Sequence, residues 1–575
     1  MLANLLIVAG LLVLPPTMPV SEIERGQKGQ CLTVFEGEEI EPFEFVVKGV
    51  MRGYLGPHRD LILVRLLGDK PEHTGVVAGM SGSPCSIDGK LIGALGYAFA
   101  SFAKEPIAGV TPIGDMLAVM NLPEEKRPYR IADKNDEAGW KAFASGDVQP
   151  SSAQDGLVPI AAPLSMGGMP VSVREHFSPW FRELGFEPVG GGSAGNEPPT
   201  YELAPGSPIT AILVRGDVDI AATGTVTTVD GEEITAFGHP FMAGGAISIP
   251  MAGASIINTM VSQLRSFKMS AAGSVIGELT QDRLPAIGGY VGRAAKMLPV
   301  SGTIKTPAGQ DSFRFEVARD PGLSPRLIAV GLASVLGARI DAGHRGMLRV
   351  KATVKGEGLE PIPVSRVFSG EKNPQMATMA AVDVARMLAI LWRTPFGPPP
   401  GIEIELEAEM TAEPIEEWVD SIHLGRAVAN TGDTVSIAVR LLRDGGKYHT
   451  ETFQLEIPQS WAGRSLAIFA AGSGDANGLA TMAKGYPNPK NMKEIARWLT
   501  GLRDAGSLYL LVVADGVGLQ AEVDTLSFIP GTAVVQLSGV PTRVPQRTGL
   551  KFEEARKRPG VVMGVEGALL KVRED

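Results

Sequence analysis

Two stretches of this chain carry residue types that could do covalent chemistry. The first is VVAGMSGSPCSIDGKLIG, residues 76–93, with Ser81 inside the tight run Gly79-Met80-Ser81-Gly82-Ser83-Pro84. A glycine-rich turn lets backbone N–H groups converge on one spot. A serine there can attack a carbonyl while the amides of Gly79 and Ser81 hold the oxyanion that forms. Serines in Gly/Ser turns also serve as plain turn residues, and the turn by itself leaves both readings open.

A serine nucleophile needs a base. The chain has 7 histidines: His58, His73, His176, His239, His344, His423 and His449. His58 and His73 flank the apolar run DLILVRLLGD in charged turns. His176 falls in a polar connection, His344 in a loop, and His423 and His449 in a C-terminal region patterned as strands. His239 differs, because it follows the apolar run ITAF at Gly238 and precedes Pro240, which puts an imidazole at a strand end. A capping or core histidine is the competing reading. No HxH or HxxxH pair or carboxylate cluster accompanies these histidines, so no metal site is expected. The glycine runs GGGSAG and AAGSGDANG lack the lysine and the strand-to-helix context of a phosphate loop, so no cofactor is expected either. The adjacent carboxylates Glu232 and Glu233 read as a solvated turn, not a catalytic pair.

The elements that must position Ser81 and His239 are mostly strands. With 70 Gly, 43 Pro and 6% aromatics, the composition favours turns and short strands. CSIDGKLIGALGYAFA reads as a hairpin turning at Asp88-Gly89, directly after the Ser81 turn. GTVTTVDGEEITAFGHPF reads as a second hairpin, turning at Asp230-Gly231 and ending at His239. Between them, residues 123–200 are charged and linker-like, with VREHFSPWFRELGF able to hold a short helix and GGGSAGNEPP a flexible linker. Residues 375–393 form the clearest helix, opened by Asn373-Pro374 and ended by Thr394-Pro395. Further on, VANTGDTVSIAVRLLRDGGKYHTETFQLEIP alternates as a β-sandwich does, and NPKNMKEIARWLTGLRDAGSLYLLVVAD reads as a helix and a buried strand.

The length of 575 residues suggests roughly three or four domains. The charge is modestly acidic, 63 Asp+Glu against 53 Lys+Arg, with no basic run, which argues against a nucleic-acid partner. The 2 cysteines, Cys31 and Cys85, both fall in the serine-bearing segment and could pair once in an exported protein. The apolar run from Leu5 to Leu14 is too short to span a bilayer and fits a signal peptide, although no Lys or Arg precedes it. A buried first strand or a misassigned start are the alternatives. Export to the periplasm or cell envelope is the expectation.

These residues resemble a known family. HTGVVAGMSGSPCSIDGKLIGALGYAF, continuing to GVTPIGDML, is similar to the serine-bearing half of the SpoIVB-like serine peptidases (S55). GTVTTVDGEEITAFGHPF, with AISIPMAGASI after it, is similar to that family's histidine-bearing half, here in reversed order. The resemblance implies a mainly β chain with some α/β and a trypsin-like double β-barrel core assembled from two separated segments. It implies Ser81 as nucleophile, His239 as general base, Asp69 as the third member with Asp60 as fallback, and Gly79 and Ser81 as oxyanion donors.

Gly96 stands where the family has a threonine, which would remove a hydrogen bond. No PDZ-like module is evident, and Met80 cannot form the ion pair that activates chymotrypsin-like zymogens. The expected organisation is a signal peptide over 1–20, a serine-bearing segment over 21–122, a long, partly ordered connection over 123–200 and a histidine-bearing segment over 201–366. A helical connector over 367–400, a β-sandwich-like module over 401–460 and an α/β module over 461–575 follow. The expected function is an exported serine endopeptidase acting on a specific envelope protein or on itself. A non-catalytic envelope scaffold that binds protein partners is the alternative, and an esterase using the same serine is a third.

Overall fold

The computed structural model describes residues 15–99, 104–124, 136–148, 156–191, 202–339, 345–370, 373–392, 396–443, 445–484, 489–521, 524–527 and 543–574. The chain divides into one unit of Met1–Pro299 with Arg314–Val335, and a second of Val300–Phe313 with Leu336–Asp575.

The first unit is built on two closed barrels. Strands β1 (Lys28–Thr33), β2 (Glu41–Gly56) and β3 (Arg59–Leu67) are followed by the short helix α1 (Asp69–Thr74). Next come β4 (Pro84–Ile87), β5 (Lys90–Phe99), β6 (Ile107–Pro112) and the short helix α2 (Ile113–Leu117). The strand order β4-β1-β2-β3-β6-β5 closes through a β4–β5 pairing over Lys90–Ala94, which leaves this edge of β5 open only beyond that stretch. Alternate residues of these strands meet in the interior, where Phe45, Val64, Leu95 and Val110 are fully buried. Asp88 and Gly89 both have positive φ, as the sequence requires of a two-residue hairpin turn.

The second barrel uses β10 (Pro208–Gly216), β11 (Asp219–Asp230), β12 (Glu233–Ala236), β13 (Gly245–Met260), β14 (Phe267–Arg283) and β15 (Ala286–Val291). Its order β10-β13-β14-β15-β12-β11 closes through β10–β11. Strand β11 is buried from Ile220 to Val229 on both faces, because one face lines its own barrel and the other meets the serine loop. The trypsin-like double barrel expected of the sequence is therefore the architecture of this unit.

Residues 123–200 contribute more regular structure than a connection would. They hold α3 (Asp136–Ser145), β7 (Leu157–Pro159), β8 (Ala162–Gly167), α4 (Val171–Glu183) and β9 (Phe186–Gly190). β7 adds to β5 of the first barrel and β8 adds to β11 of the second. The linker GGGSAGNEPP lies, from residue 192 on, outside the described residues, as does the run from Leu5 to Leu14. Residues after that run already belong to the fold: Leu91 N–H donates to the Pro16 carbonyl at 2.8 Å, and Met18 N–H to the Leu91 carbonyl at 3.0 Å.

In the second unit, the hairpin Gly346–Gly356 and Leu359–Gly370 pairs along Glu403–Thr411. Helix Asn373–Ala389 matches the clearest helical pattern. Two further sheets bury a common core in which Val435, Ile437 and Phe453 meet Ile468 and Leu510, as a sandwich does.

Cys31 and Cys85 form a disulfide between β1 and β4, where they are direct cross-strand partners at a sequence separation of 54. The bond ties the barrel at the strand that leaves the Ser81 turn. Replacing both cysteines by alanine is expected to lower stability by roughly 2–5 kcal/mol, given the long loop it closes. The urea midpoint of the first unit's transition in the full chain reads this; a midpoint unchanged from wild type would contradict it.

Candidate active site

Ser81 sits in the turn before β4, and the turn is shaped by what touches its backbone. Gly82 has φ +94°, and a Cβ there would stand 2.0 Å from the Thr225 carbonyl oxygen, so only glycine fits. Three carbonyls of the turn are taken by β11. Thr225 N–H donates to Ser81 O at 2.8 Å, Thr225 Oγ1 to Gly79 O at 3.0 Å, and Thr227 Oγ1 to Gly82 O at 2.7 Å. Within the turn, Met80 N–H donates to Val77 O at 3.0 Å and Ser83 N–H to Met80 O at 3.0 Å. Among the described residues the amides of Gly79 and Ser81 meet no acceptor. A loop whose carbonyls are held and whose two amides stay free is equipped to receive an oxyanion.

His239 follows the end of β12. Phe237 and Gly238 before it both have left-handed backbone, at φ 69° and 64°, and for buried Phe237 this is a strained conformation. The strain is held in place by ring packing of Phe237 on Phe241 at 4.4 Å. On the far side, Asp282 accepts from the amides of Phe241, Met242 and Gly244 at 2.9, 3.0 and 2.8 Å, which fixes the loop that leaves His239.

The two loops converge on Leu95-Gly96 of β5. Gly82 N–H donates to the Leu95 carbonyl at 2.7 Å, and Leu95 N–H donates back to Ser83 O at 3.0 Å. A Cβ on Gly96 would stand 2.2 Å from the Gly238 carbonyl oxygen, so the histidine's backbone passes directly against this glycine. The Gly238 oxygen accepts a hydrogen bond from Thr111 Oγ1 at 2.6 Å. The threonine expected at position 96 would thus not fit, and the hydroxyl at this junction comes from Thr111 instead.

Ser81 is fully buried and His239 nearly so, and neither Ser81 Oγ nor His239 Nε2 has a hydrogen-bond partner. The Nδ1 atom of His239 lies 2.8 Å from the Pro240 carbonyl. With Nδ1 donating, Nε2 carries the free lone pair, as a general base requires. Asp69, expected as the third member, stands exposed in the first turn of α1 and makes no contact with the imidazole. Asp60 accepts from Arg52 at 2.5 Å and from Gly53 N–H at 2.9 Å, and the Gly53 bond, with the Arg52 one, lowers its pKa. Both aspartates serve the surface of the first barrel, and a backbone carbonyl orients the histidine.

Residues 15–111 match the SpoIVB peptidase S55 family. The matched segment is the first barrel with its Ser81 turn, and the match is to a family of serine peptidases; His239 lies beyond it. Searches of curated proteins and of solved structures found no match. Among the described residues no helix is long and apolar enough to cross a membrane, and no group of His, Cys, Asp and Glu side chains could hold a metal ion.

Several residues around this candidate site escape notice in the sequence. Thr223, Thr225 and Thr227 share one face of β11 by strand alternation, and that period-two threonine pattern in TGTVTTV was the available signal. Thr111, Asp282 and Lys268 carried none. Lys268 is buried on β14, its Nζ donates to Thr33 Oγ1 at 2.7 Å, and its stem lies against Gly79. Burial alone pulls its pKa down to about 7.

Burial likewise lowers the pKa of His239 to about 4, against the opposing pull of the Pro240 and Ile160 carbonyls. The unfolded chain then binds a proton at this histidine, and the folded chain does not, between about pH 6.5 and 4. Stability from this group is complete above 6.5 and is lost as pH falls through that window, by up to roughly 3 kcal/mol. Urea midpoints from pH 7.5 to 4 should fall more steeply for wild type than for His239→Gln; parallel slopes would refute the buried neutral imidazole.

Proposed function

We propose that this protein is an exported serine endopeptidase in which Ser81 is the nucleophile, His239 the general base, and the amides of Gly79 and Ser81 the oxyanion donors. The observation that carries the reading is the convergence on Leu95-Gly96 of a serine turn with two free amides and a histidine with a free Nε2. The S55 match over the serine-bearing barrel supports it independently. In the reaction, His239 Nε2 takes the Ser81 hydroxyl proton as Oγ attacks the scissile carbonyl. The Gly79 and Ser81 amides receive the oxyanion, and the imidazolium returns its proton to the leaving amine. Water then repeats the sequence in reverse to free the acyl group.

Among the described residues no carboxylate pairs with His239, and the carbonyls of Pro240 and Ile160 are what favour its imidazolium. That is the observation favouring the second reading, a peptidase-fold scaffold that binds envelope partners without cleaving them. Export is supported by the apolar run from Leu5 to Leu14 and by the Cys31–Cys85 bond, since disulfides persist in oxidising compartments. The substrate on this reading is a specific envelope protein or the chain itself, with the second unit available as a binding module.

Fluorophosphonate labelling, read by mass mapping of the adduct, tests the assignment. The adduct is expected on Ser81, and Ser81→Ala and His239→Ala are each expected to abolish it, with peptide turnover falling by about 10⁴-fold or more. An adduct that persists in Ser81→Ala would remove Ser81 from the mechanism. A Ser81 that stays unlabelled in wild type and in the open-site variants described next would leave the scaffold.

A further inference from the structure

A buried nucleophile and a buried base raise the question of what covers them. Part of the cover is the chain's own residues 157–160, Leu-Val-Pro-Ile. β7 runs antiparallel along the outer edge of β5, with Leu157 opposite Phe99, Val158 opposite Ala98 and Pro159 opposite Tyr97. The next N–H, that of Ile160, donates to the Gly96 carbonyl at 2.9 Å, at the very residue where the serine and histidine loops meet. The Ile160 side chain is buried in the same cluster as Val77, Met80 and Leu95, beside the serine turn. Its carbonyl faces the His239 ring.

This is the geometry of a peptide added as a strand to an open sheet edge, where main-chain bonds give affinity and alternate side chains enter pockets. Pro159 fits because a strand on an edge needs N–H donors only at alternate positions. One feature separates the segment from a peptide about to be cut. The Ile160 carbonyl lies close enough to the imidazole to oppose the lowering of its pKa, yet Nε2 and the amides of Gly79 and Ser81 are left without a hydrogen-bond partner among the described residues. The segment therefore covers the base without entering the oxyanion site. Beside it runs a groove of about 240 Å³ whose wall includes Ala98, Pro159 and the exposed apolar side chains of Phe99 and Leu264.

We propose that residues 157–160 are a built-in competitor: they hold in cis the strand position that a substrate takes on β5, and the site acts on an extended peptide with an aliphatic residue in the place of Ile160 once this strand is displaced. The inference rests on the serine-peptidase reading above and adds its regulation and its substrate class. Displacement readmits water to His239, which relieves the burial that holds its pKa down to about 4 and makes it a stronger base.

A reversible lock tests this on the full-length protein. Ala98→Cys with Val158→Cys joins direct cross-strand partners, and mild reductant opens this bond while the fully buried Cys31–Cys85 pair stays closed. The oxidised lock is expected to label at Ser81 at least ~10-fold more slowly than its reduced form, because only the displaced state is competent. Ile160→Gly is expected to label roughly 10-fold faster than wild type and to hydrolyse acetyl-Leu-Val-Pro-Ile-aminocoumarin. Equal Ser81 labelling of oxidised and reduced lock would overturn the competitor and leave the peptidase reading standing. Absence of labelling in every form, with the lock protein retaining wild-type thermal unfolding, would overturn the peptidase reading and the competitor with it.

Discussion

The site depends on a backbone contact that leaves no room for a side chain. At Gly96 the strand that follows the serine turn and the backbone that precedes His239 pass so closely that a single Cβ would collide with the Gly238 carbonyl. Because Leu95, one residue earlier, is bonded in both directions to the serine turn, this contact couples the two barrels at the candidate site. Two rigid closed sheets then fix the nucleophile and the base far better than two loops could.

Close approach of backbones creates a second demand, since every buried carbonyl and amide has to be satisfied. The second barrel meets it with threonines on an otherwise apolar strand: Thr225 and Thr227 hold the carbonyls of the serine turn, and Thr111 holds that of Gly238. Asp282 does the same for the amides after His239. Among the described residues the groups left unsatisfied at this junction include Ser81 Oγ, Ser83 Oγ, His239 Nε2 and the amides of Gly79 and Ser81, and all but Ser83 Oγ are groups a hydrolytic site would keep for its substrate.

Burial sets the electrostatic character of the site. A neutral imidazole and a buried lysine are both disfavoured in their charged forms by desolvation, and among the described residues no carboxylate compensates either one. A site of this kind is closed and weakly basic as it stands. A cover made from the chain's own β7 fits that state, because a strand bonded along β5 excludes water from the imidazole while leaving the oxyanion amides untouched.

Much of this was legible in the sequence, and for identifiable reasons. The glycine-rich turn at Ser81, the Asp88-Gly89 hairpin, the strand-end position of His239 and the helix after Pro374 are local patterns, dictated by which residues tolerate positive φ, strand alternation or a helix start. The same reading put an aspartate beside the histidine, as Asp69, and the folded chain puts a carbonyl there. It took residues 123–200 for a connection that partly folds and read a short helix there, which is α4, but not the strands β7 and β8. Both outcomes turn on which distant segment docks at an open strand edge, and nothing in a short window encodes that partner. Composition and spacing by themselves determined two hairpins, one that opens just after a serine turn and one that ends at a histidine. Only the tertiary structure decided that these meet at Gly96, because packing one closed barrel against the other brings together backbones more than a hundred residues apart.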